Sequence, residues 1–443
     1  MEAIYKKFKK FLKKLGPGFI TGASDDDPSA IATYSQSGAE FGYRQLWTPL
    51  FSLPFMIVIL EMAGRIGLVT GKGLAGIIKQ YYSKKLLYTS VLLLLFANII
   101  NIGAVLGAMA AILNLLLGIN FFVALIVIVI FSLALEMFIP YRIYVKFLKY
   151  LTLSLFAYII AAFSIPQNWP QILSATFIPE IYFTPENIIN LVAIFGTIIS
   201  PYLFFWQADE EVEEEILHHK LKITGNNRPK ITPEDLKIMR FDTIIGMFFS
   251  NIVAFFIILT AAATLWPQGI SNISTAAEAA EALKPLAGNF AFLLFALGII
   301  GTGMLTLPIL ASSASYAFSE AFNFKEGLYR KWNKARVFYG IIFIATILGL
   351  LVNFSSTPPF KMLYFGAILN GIIAPPLLVV MLLIANNKKI MGNFTNSKLS
   401  NILAVSITFF MSAIALYLLY DLFKNWNIFA NFINNIIKSL IYV

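Results

Sequence analysis

The sequence predicts an all-α polytopic membrane protein. Of its 443 residues, 58% are hydrophobic and only 13% are charged, which is about half the charged share of a soluble domain. The apolar residues fall into blocks of roughly twenty, the length that crosses a hydrocarbon core as a helix. Alternating ten-residue segments are absent from the sequence, so a β-barrel, the other architecture that satisfies its backbone in lipid, is excluded.

These apolar blocks predict eleven membrane spans, followed by a tail that we interpret as an amphipathic surface helix, with a weak twelfth span as the alternative. The spans are 17–38, 45–68, 87–117, 121–140, 147–166, 187–208, 240–266, 287–318, 336–354, 360–385 and 400–421. The domains that follow are a cytoplasmic segment at 1–16, a first repeat at 17–166, an extracellular connector at 167–186, a second repeat at 187–385, the last span at 400–421 and the tail at 422–443.

The placement of lysine and arginine predicts the orientation. Lysines cluster in the N-terminal segment, and with eleven spans the other basic loops fall on the same side, which the positive-inside rule makes cytoplasmic. The basic residues outside this pattern are Arg44, Lys284, Lys361, Lys424 and Lys438. We therefore expect a multi-pass plasma-membrane monomer with a cytoplasmic N-terminus. The net charge of +10 follows from these loops and does not indicate a nucleic-acid partner.

The N-terminal segment and the cysteine count argue against a signal peptide and against cysteine-based sites. The segment has no small-residue cleavage site, so it is not expected to be a signal peptide. The chain contains no cysteine, which excludes disulfides and thiolate metal sites.

Two of the predicted spans are interrupted by a proline in mid-membrane. Pro28 follows Asp27 in span 1, and Pro201 follows Ser200 in span 6. Proline removes a backbone donor and frees carbonyl groups, which lipid tolerates only where they line a cavity. Corresponding breaks in two halves are typical of inverted-repeat transporters, whose cargo binds at the breaks. A simple kink remains the alternative for Pro201.

Three consecutive carboxylates, Asp25, Asp26 and Asp27, precede the first break. One charge at the bilayer centre costs about 2.5 to 3.5 kcal/mol on insertion scales, so three indicate an aqueous cavity, a bound cation or protonation. Successive helical residues turn by about 100°, so the three cannot all face one way. We expect Asp26 to turn toward the cavity; the alternative is that Asp25 and Asp26 bond to freed backbone donors.

The ordered motifs along the chain resemble those of the Nramp divalent-metal transporters. The matching segments are 16–19, 27–30 and 36–38 in span 1, where the family has Asp-Pro-Gly-Asn at the break, 69–72 after span 2 and 387–392 after span 10. The resemblance covers nearly the whole chain. It implies a LeuT-type fold with two inverted five-helix repeats, broken helices 1 and 6 and an eleventh span, and it implies metal uptake.

Departures from the family pattern indicate a hard, hydrated ion. The resemblance places the metal-binding aspartate at Asp27, whereas the family's asparagine is Ala30, and its alanine and methionine before the second proline are Thr197 and Ser200. Oxygen ligands and a wider pocket suit Mg²⁺, which keeps several waters, better than soft-ligand metals. Ala30 contributes backbone or pocket wall. The expected outer or vestibule residues are Asp25, Asp26, Ser29, Tyr202, Gln207, Asn101 and Asn370.

The family's proton-transfer groups are also replaced. Its two histidines in span 6 align with Tyr202 and Gln207, and its acidic pair in span 3 aligns with Asn101 and Ala104. The chain is in this respect similar to the Nramp-related magnesium transporters. The resemblance therefore implies transport of Mg²⁺, and also Mn²⁺, without proton coupling and without a resident cofactor.

Three other functions fit the sequence less well. A proton-coupled Mn²⁺ or Fe²⁺ transporter would need soft ligands or a proton relay. An amino-acid carrier of the same fold would bring its substrate carboxylate against an anionic cluster. An aspartate-rich membrane enzyme using Mg-diphosphate would need a second aspartate-rich motif facing the first.

The remaining acidic residues lie near helix ends. For the run 209–215 two interpretations stay open, a solvated helix face and a cytoplasmic exit that attracts the cation. Glu61 and Glu136 are expected to pair with Arg65 and Arg142.

Overall fold

The computed structural model describes residues 16–139, 143, 152–221, 228–355 and 357–424. Within these ranges every regular element is helical. The main helices are α1 Pro17–Asp25, α2 Pro28–Phe41, α3 Trp47–Thr70, α4 Leu74–Tyr81, α5 Lys84–Leu117, α6 Phe121–Phe138, α7 Phe156–Ser164, α8 Trp169–Phe177, α9 Pro185–Ile198, α10 Pro201–Leu217, α11 Pro233–Thr264, α12 Ala291–Phe322, α13 Arg336–Val352, α14 Pro359–Asn386 and α15 Lys398–Lys424. Short helices lie at Ala276–Ala280, Lys284–Ala287 and Lys388–Met391.

The two predicted helix breaks are present. Asp26 leaves helical geometry at the end of α1, and α2 restarts with Pro28 in its first turn. Likewise α9 ends before Ile199, and α10 restarts with Pro201. Proline is accommodated at a first helical position because that backbone donor has no partner within the helix anyway. Each proline therefore begins a new half-helix, and neither is a simple kink.

Eight helices in the described residues are long and apolar enough to cross a membrane: α3, α5, α6, α9 with α10, α11, α12, α14 and α15. The shorter α13 is also apolar, and the broken first span consists of α1 and α2. The fifth predicted span is described only from 152 onward, where it contains α7. The chain is thus a multi-pass helical membrane protein.

Helix boundaries differ from the sequence prediction. Span 7, predicted at 240–266, begins at Pro233, where Thr232 and Asp235 form a capping box that fixes a helix start independently of apolar periodicity. Span 8, predicted at 287–318, runs over Ala291–Phe322. The run 209–215 belongs to α10, which continues to Leu217. Residues 1–15 and 425–443 lie outside the described ranges, and the domain boundaries stay predictions.

The first span of each half packs along the second span of the other half. Helices α1 and α2 lie on α11, and α10 lies on α3. Glycines make these contacts close: a Cβ on Gly22 would overlap the backbone of Gly246, and one on Gly67 would overlap that of Ala208. Small residues allow helix backbones to approach within a membrane. The breaks are therefore held between helices of both halves.

We expect Gly246→Ala to destabilise the protein. Its Cβ would overlap the backbone of Gly18 and Phe19, and no side-chain rotation can relieve that overlap. Overpacking of this kind costs typically about 1–3 kcal/mol, which should lower the unfolding temperature of detergent-purified protein. Gly340→Ala is the matched control, because a Cβ there meets nothing within 4 Å. Equal unfolding temperatures for the two variants would contradict the close approach.

Candidate ion-binding site

Asp27 lies between the two half-helices of span 1 and is only 2% exposed. Its Oδ1 accepts the backbone N–H of Ala30 at 2.8 Å, which caps α2. Its Oδ2 lies 3.4 Å from the hydroxyl of Tyr202 in α10, which is a long distance for a hydrogen bond. One carboxylate oxygen is thus fixed by the helix, and the other remains available to a ligand.

The break in span 6 is connected to α5 and α14 by a chain of polar groups. The Ser200 hydroxyl faces the carbonyls of Gly196 and Thr197 at 2.8 and 2.9 Å. The Asn370 amide nitrogen lies 3.5 Å from the Ser200 oxygen, and the Asn101 amide donates to Asn370 at 2.9 Å. The structure therefore brings together Ser200, Asn101 and Asn370. The side-chain amide oxygen of Asn101 is buried without a hydrogen-bond partner.

Asp25 and Asp26 lie against Ser250 of α11. The Ser250 hydroxyl oxygen is 2.6 Å from Asp25 Oδ2 and 3.4 Å from Asp26 Oδ1. The other oxygen of each carboxylate is buried with no hydrogen-bond partner. The alternative that these carboxylates bond to freed backbone donors is wrong for the contacts the structure describes.

The three aspartates form a buried group whose negative charge has little compensation from neighbouring residues. They are 0–2% exposed, and no lysine or arginine in the described ranges pairs with them. An uncompensated buried charge is expensive, so the group requires a cation or protons. Oxygen ligands are what it offers to a cation.

The side chains of two predicted outer residues form hydrogen bonds with other parts of the molecule. The Ser29 hydroxyl donates to the Leu363 carbonyl of α14 at 2.8 Å. The Gln207 amide accepts from Thr21 of α1 at 2.5 Å and donates to Glu211 at 2.9 Å. Gln207 therefore joins α1 to the acidic run.

Ser250 and Thr306 belong to the surroundings of the break but were missed from the sequence. The Thr306 hydroxyl of α12 donates to the carbonyl of Ser24 at 3.2 Å, which satisfies one group freed by the end of α1. The only feature of the sequence that could have indicated these two residues is a hydroxyl side chain within an apolar span. Such hydroxyls are common in membrane helices, where they also bond to their own backbone.

The acidic run is buried, and its interpretation as a solvated helix face is wrong. Its members Asp209, Glu210, Glu211, Glu213 and Glu215 are each at most 5% exposed. Part of this burial comes from hydrogen-bond donors in α12 and in the loop that follows it. For example, Glu213 accepts from the Tyr316 hydroxyl and from the backbone N–H groups of Leu328 and Tyr329.

The expected pairs of Glu61 and Glu136 have different outcomes. Glu61 pairs with Arg65 at 3.0 Å, as predicted, and also with Arg240 at 2.8 Å. Glu136 accepts from Ser132 at 2.9 Å, and its predicted partner Arg142 lies outside the described residues. In the described part of the chain, no three histidine or acidic side chains surround one metal position.

Interrupted helices in two interlocked halves, with a carboxylate at the first break, define a membrane transporter of the inverted-repeat class. The chain belongs to the Nramp family: the family model described as natural resistance-associated macrophage protein-like matches residues 18–421. This confirms the family predicted from the motifs and the expectation of a transporter rather than an enzyme. The magnesium branch stays a prediction.

Relatives and solved structures cover almost the full chain. The divalent metal cation transporter MntH of Clostridium acetobutylicum is 24% identical, covering 94% of this chain and 93% of the relative. That of Bacillus subtilis is 24% identical, covering 94% of each. A manganese transporter of Eremococcus coleocola superposes with a TM-score of 0.72 at 19% identity, covering 98% of this chain and 95% of that one.

A more distant structure is similar in fold alone. The inward-facing conformation of Mhp1 gives a TM-score of 0.53 at 14% identity, covering 94% of this chain and 91% of that one. These likenesses confirm the predicted LeuT-type fold.

Proposed function

We propose that this protein moves divalent metal ions, preferentially partly hydrated Mg²⁺ and also Mn²⁺, into the cytoplasm by alternating access without proton coupling. The observation that supports it most is Asp27. Its carboxylate lies at the break of span 1 with one oxygen capping α2 and the other opposite α10 at only a weak contact. A carboxylate held in this way keeps one oxygen in position to bind a cation.

The composition of the surroundings favours a hard ion. Asp27, Thr197 and Ser200 supply carboxylate and hydroxyl or carbonyl oxygens, and Ala30 leaves room for water. Mg²⁺ binds through one or two carboxylates while keeping several waters, whereas Mn²⁺ and Fe²⁺ gain from softer ligands. Relatives named as divalent metal cation and manganese transporters support the divalent class and keep a proton-coupled Mn²⁺ transporter as the alternative.

The sequence of the neighbouring helices supports the absence of proton coupling. Helix α5 contains no acidic residue and no histidine, and neither does the stretch from Asn187 to Ala208 across the second break. In the family pattern, proton-transfer groups occupy the positions of Asn101 and Tyr202. A proton relay there would need groups that titrate near neutral pH, such as histidine. We further propose a cytoplasmic N-terminus, a plasma-membrane location and a monomer, with the domain boundaries given above.

Transport by purified protein in liposomes tests this function. Internal dyes for Mg²⁺, Mn²⁺ and pH would record influx after external addition of either metal. We expect influx of both metals with no acidification. Acidification that rises with metal influx would refute uncoupled transport, and influx of Mn²⁺ without Mg²⁺ would support the alternative.

We expect Ser200→Met to shift the preference toward soft metals. A thioether at the break of span 6 would favour Mn²⁺ or Cd²⁺ over Mg²⁺ by about tenfold, because sulfur ligands discriminate against hard ions. Competition of Mg²⁺ against Cd²⁺ uptake in liposomes measures this. Ser412→Met on the half-buried face of α15 is the control for added methionine. An unchanged ratio would place Ser200 away from the ion.

A further inference from the structure

A buried arginine near the C-terminal end of α3 binds the loop between α14 and α15. Arg65 is only 2% exposed, and its guanidinium donates to the backbone carbonyl of Phe394 and, at 2.6 Å, to the side-chain oxygen of Asn396. The same guanidinium donates to Glu61, which pairs with Arg240 of α11. We call Arg65, Phe394 and Asn396 the Arg65 clamp. It joins the loop to α3 and, through Glu61, to α11.

Apolar packing reinforces the Arg65 clamp. The Phe394 side chain packs against a small buried group formed by Leu68 of α3 and by Leu236 and Met239 of α11. A planar guanidinium holds its hydrogen-bond partners in one fixed geometry, and hydrogen bonds from a charged donor are about twice as strong as neutral ones. Such contacts are costly to break repeatedly, so the loop and the two helices should behave as one body.

The loop is in turn bound to the end of α14. The backbone N–H of Asn396 donates to the carbonyl of Ala385 at 3.2 Å. The side chains of Asn386 and Asn401 exchange two hydrogen bonds at 2.8 Å, and Asn401 of α15 also accepts from Asn396 at 2.8 Å. The last turn of α14 is therefore connected through the loop to α3 and α11.

The first half of α14 has different partners. Asn370 accepts from Asn101 of α5 at 2.9 Å, and its amide nitrogen lies 3.5 Å from the Ser200 oxygen at the second break. Gly371 approaches α9 so closely that a Cβ there would come within 2.2 Å of the Val192 carbonyl oxygen. This half of α14 is therefore held by α5 and α9, beside the candidate ion site.

Two consecutive prolines, Pro375 and Pro376, lie between the two halves of α14. A proline in a helix interior removes one backbone hydrogen bond and clashes with the preceding turn, and sharp helix kinks occur mostly at such residues. The backbone of α14 is thus weakened at the point where its two sets of partners separate.

We propose that Pro375 and Pro376 form a hinge in α14, and that the Arg65 clamp makes the half after this hinge move with α3 and α11. The half before the hinge stays with α5 and α9, so Asn370 keeps its place near Ser200. A few residues that absorb a backbone change are the usual form of a hinge between moving parts. The inference rests on the proposed function, since alternating access requires two arrangements of the helices.

Replacing the Arg65 clamp by a covalent link tests whether it stays closed during transport. The chain has no cysteine, so Arg65→Cys with Asn396→Cys supplies a unique pair of thiols. Loss of the charged hydrogen bonds should lower metal influx into liposomes about tenfold. A bifunctional methanethiosulfonate as long as the arginine side chain should restore most of that influx, because the link keeps the moving parts together.

The control for the cross-link is each single cysteine variant treated with the same reagent, which should not recover. Mass spectrometry measures how much of the double variant is linked. Influx that stays low when linking is complete would overturn the Arg65 clamp as part of one moving body, because a contact that must open in every cycle cannot be bridged.

Pro376→Ala tests the hinge. Pro376 is exposed on the surface of α14, so alanine there restores a backbone donor with little loss of packing. We expect a higher unfolding temperature and slower influx. Pro54→Ala is the matched control, since Pro54 is an exposed proline inside α3; it should not slow influx. Equal slowing in both variants, or none in Pro376→Ala, would overturn the hinge.

Distances between spin labels test the hinge without transport. One pair, at Leu383 after the hinge and Ile244 of α11, lies on the proposed moving body; the other joins Leu383 to Leu92 of α5. All three positions are exposed. Electron paramagnetic resonance should give one distance for the first pair with or without Mg²⁺, and a changed or second distance for the other.

These outcomes separate the hinge from the proposed function. A parent protein that takes up neither Mg²⁺ nor Mn²⁺ would refute transport, and the label distances would still decide on the hinge. Invariant distances for both label pairs would overturn the hinge alone, whatever the protein transports.

Discussion

Asp27→Asn is expected to abolish Mg²⁺ and Mn²⁺ uptake while leaving the protein folded. Asparagine retains an oxygen that can accept the Ala30 N–H, and it is among the preferred helix caps, so α2 should keep its start. The negative charge opposite Tyr202 is lost. Changes to residues that only orient a metal ligand already cost about 10–100-fold, so loss of the ligand charge should reduce uptake at least that much.

The measurement is initial metal influx into liposomes, with unfolding temperature recorded for each variant. Asp27→Glu is the informative partner, because it keeps the charge but lengthens the side chain; we expect partial uptake with altered selectivity. Asp27→Asn that transports at the rate of the parent would show that the carboxylate does not bind the ion. Loss of uptake together with loss of folding would be resolved by Asp27→Ser, which also caps a helix.

The helix breaks could be predicted because proline acts locally. Pro28 and Pro201 interrupt apolar blocks, and a proline in a helix interior removes a backbone bond whatever its surroundings. The three successive carboxylates in the first apolar block could also be recognised as a candidate site without knowledge of their neighbours, because charged residues within a membrane span are costly. The fold class and the breaks could therefore be predicted from residues adjacent in sequence, whereas the choice of Asp27 among the three carboxylates came from the resemblance to the Nramp family.

Contacts between distant residues could not be predicted in the same way. The acidic run resembled a solvated face because the groups that cover it come from far along the chain: Tyr316 lies 103 residues from Glu213. Ser250, which contacts Asp25, is 225 residues away. Periodicity and composition report the environment of a helix on average, whereas the partner of one side chain depends on packing.

We expect Asp242→Asn to release the first half-helix of span 1. Asp242 of α11 accepts the backbone N–H of Gly16 at 2.9 Å and of Gly18 at 2.7 Å, so a single carboxylate holds the start of α1. An asparagine can accept only through its one oxygen, and its amide nitrogen would face a donor. Hydrogen bonds to charged groups contribute about 1.5–3 kcal/mol each, so losing one should raise the population with α1 displaced by about tenfold or more.

Because the chain has no cysteine, a single Ala23→Cys substitution reports this displacement directly. Ala23 lies in α1 and is 2% exposed, so a membrane-impermeant thiol reagent should label it slowly while α1 is in place. Adding Asp242→Asn should raise the labelling rate about tenfold, in proportion to the displaced population, whereas Glu234→Gln on the same helix should not change it. Unchanged labelling would mean that glycine packing along α11, rather than the Asp242 carboxylate, holds α1 beside the ion site.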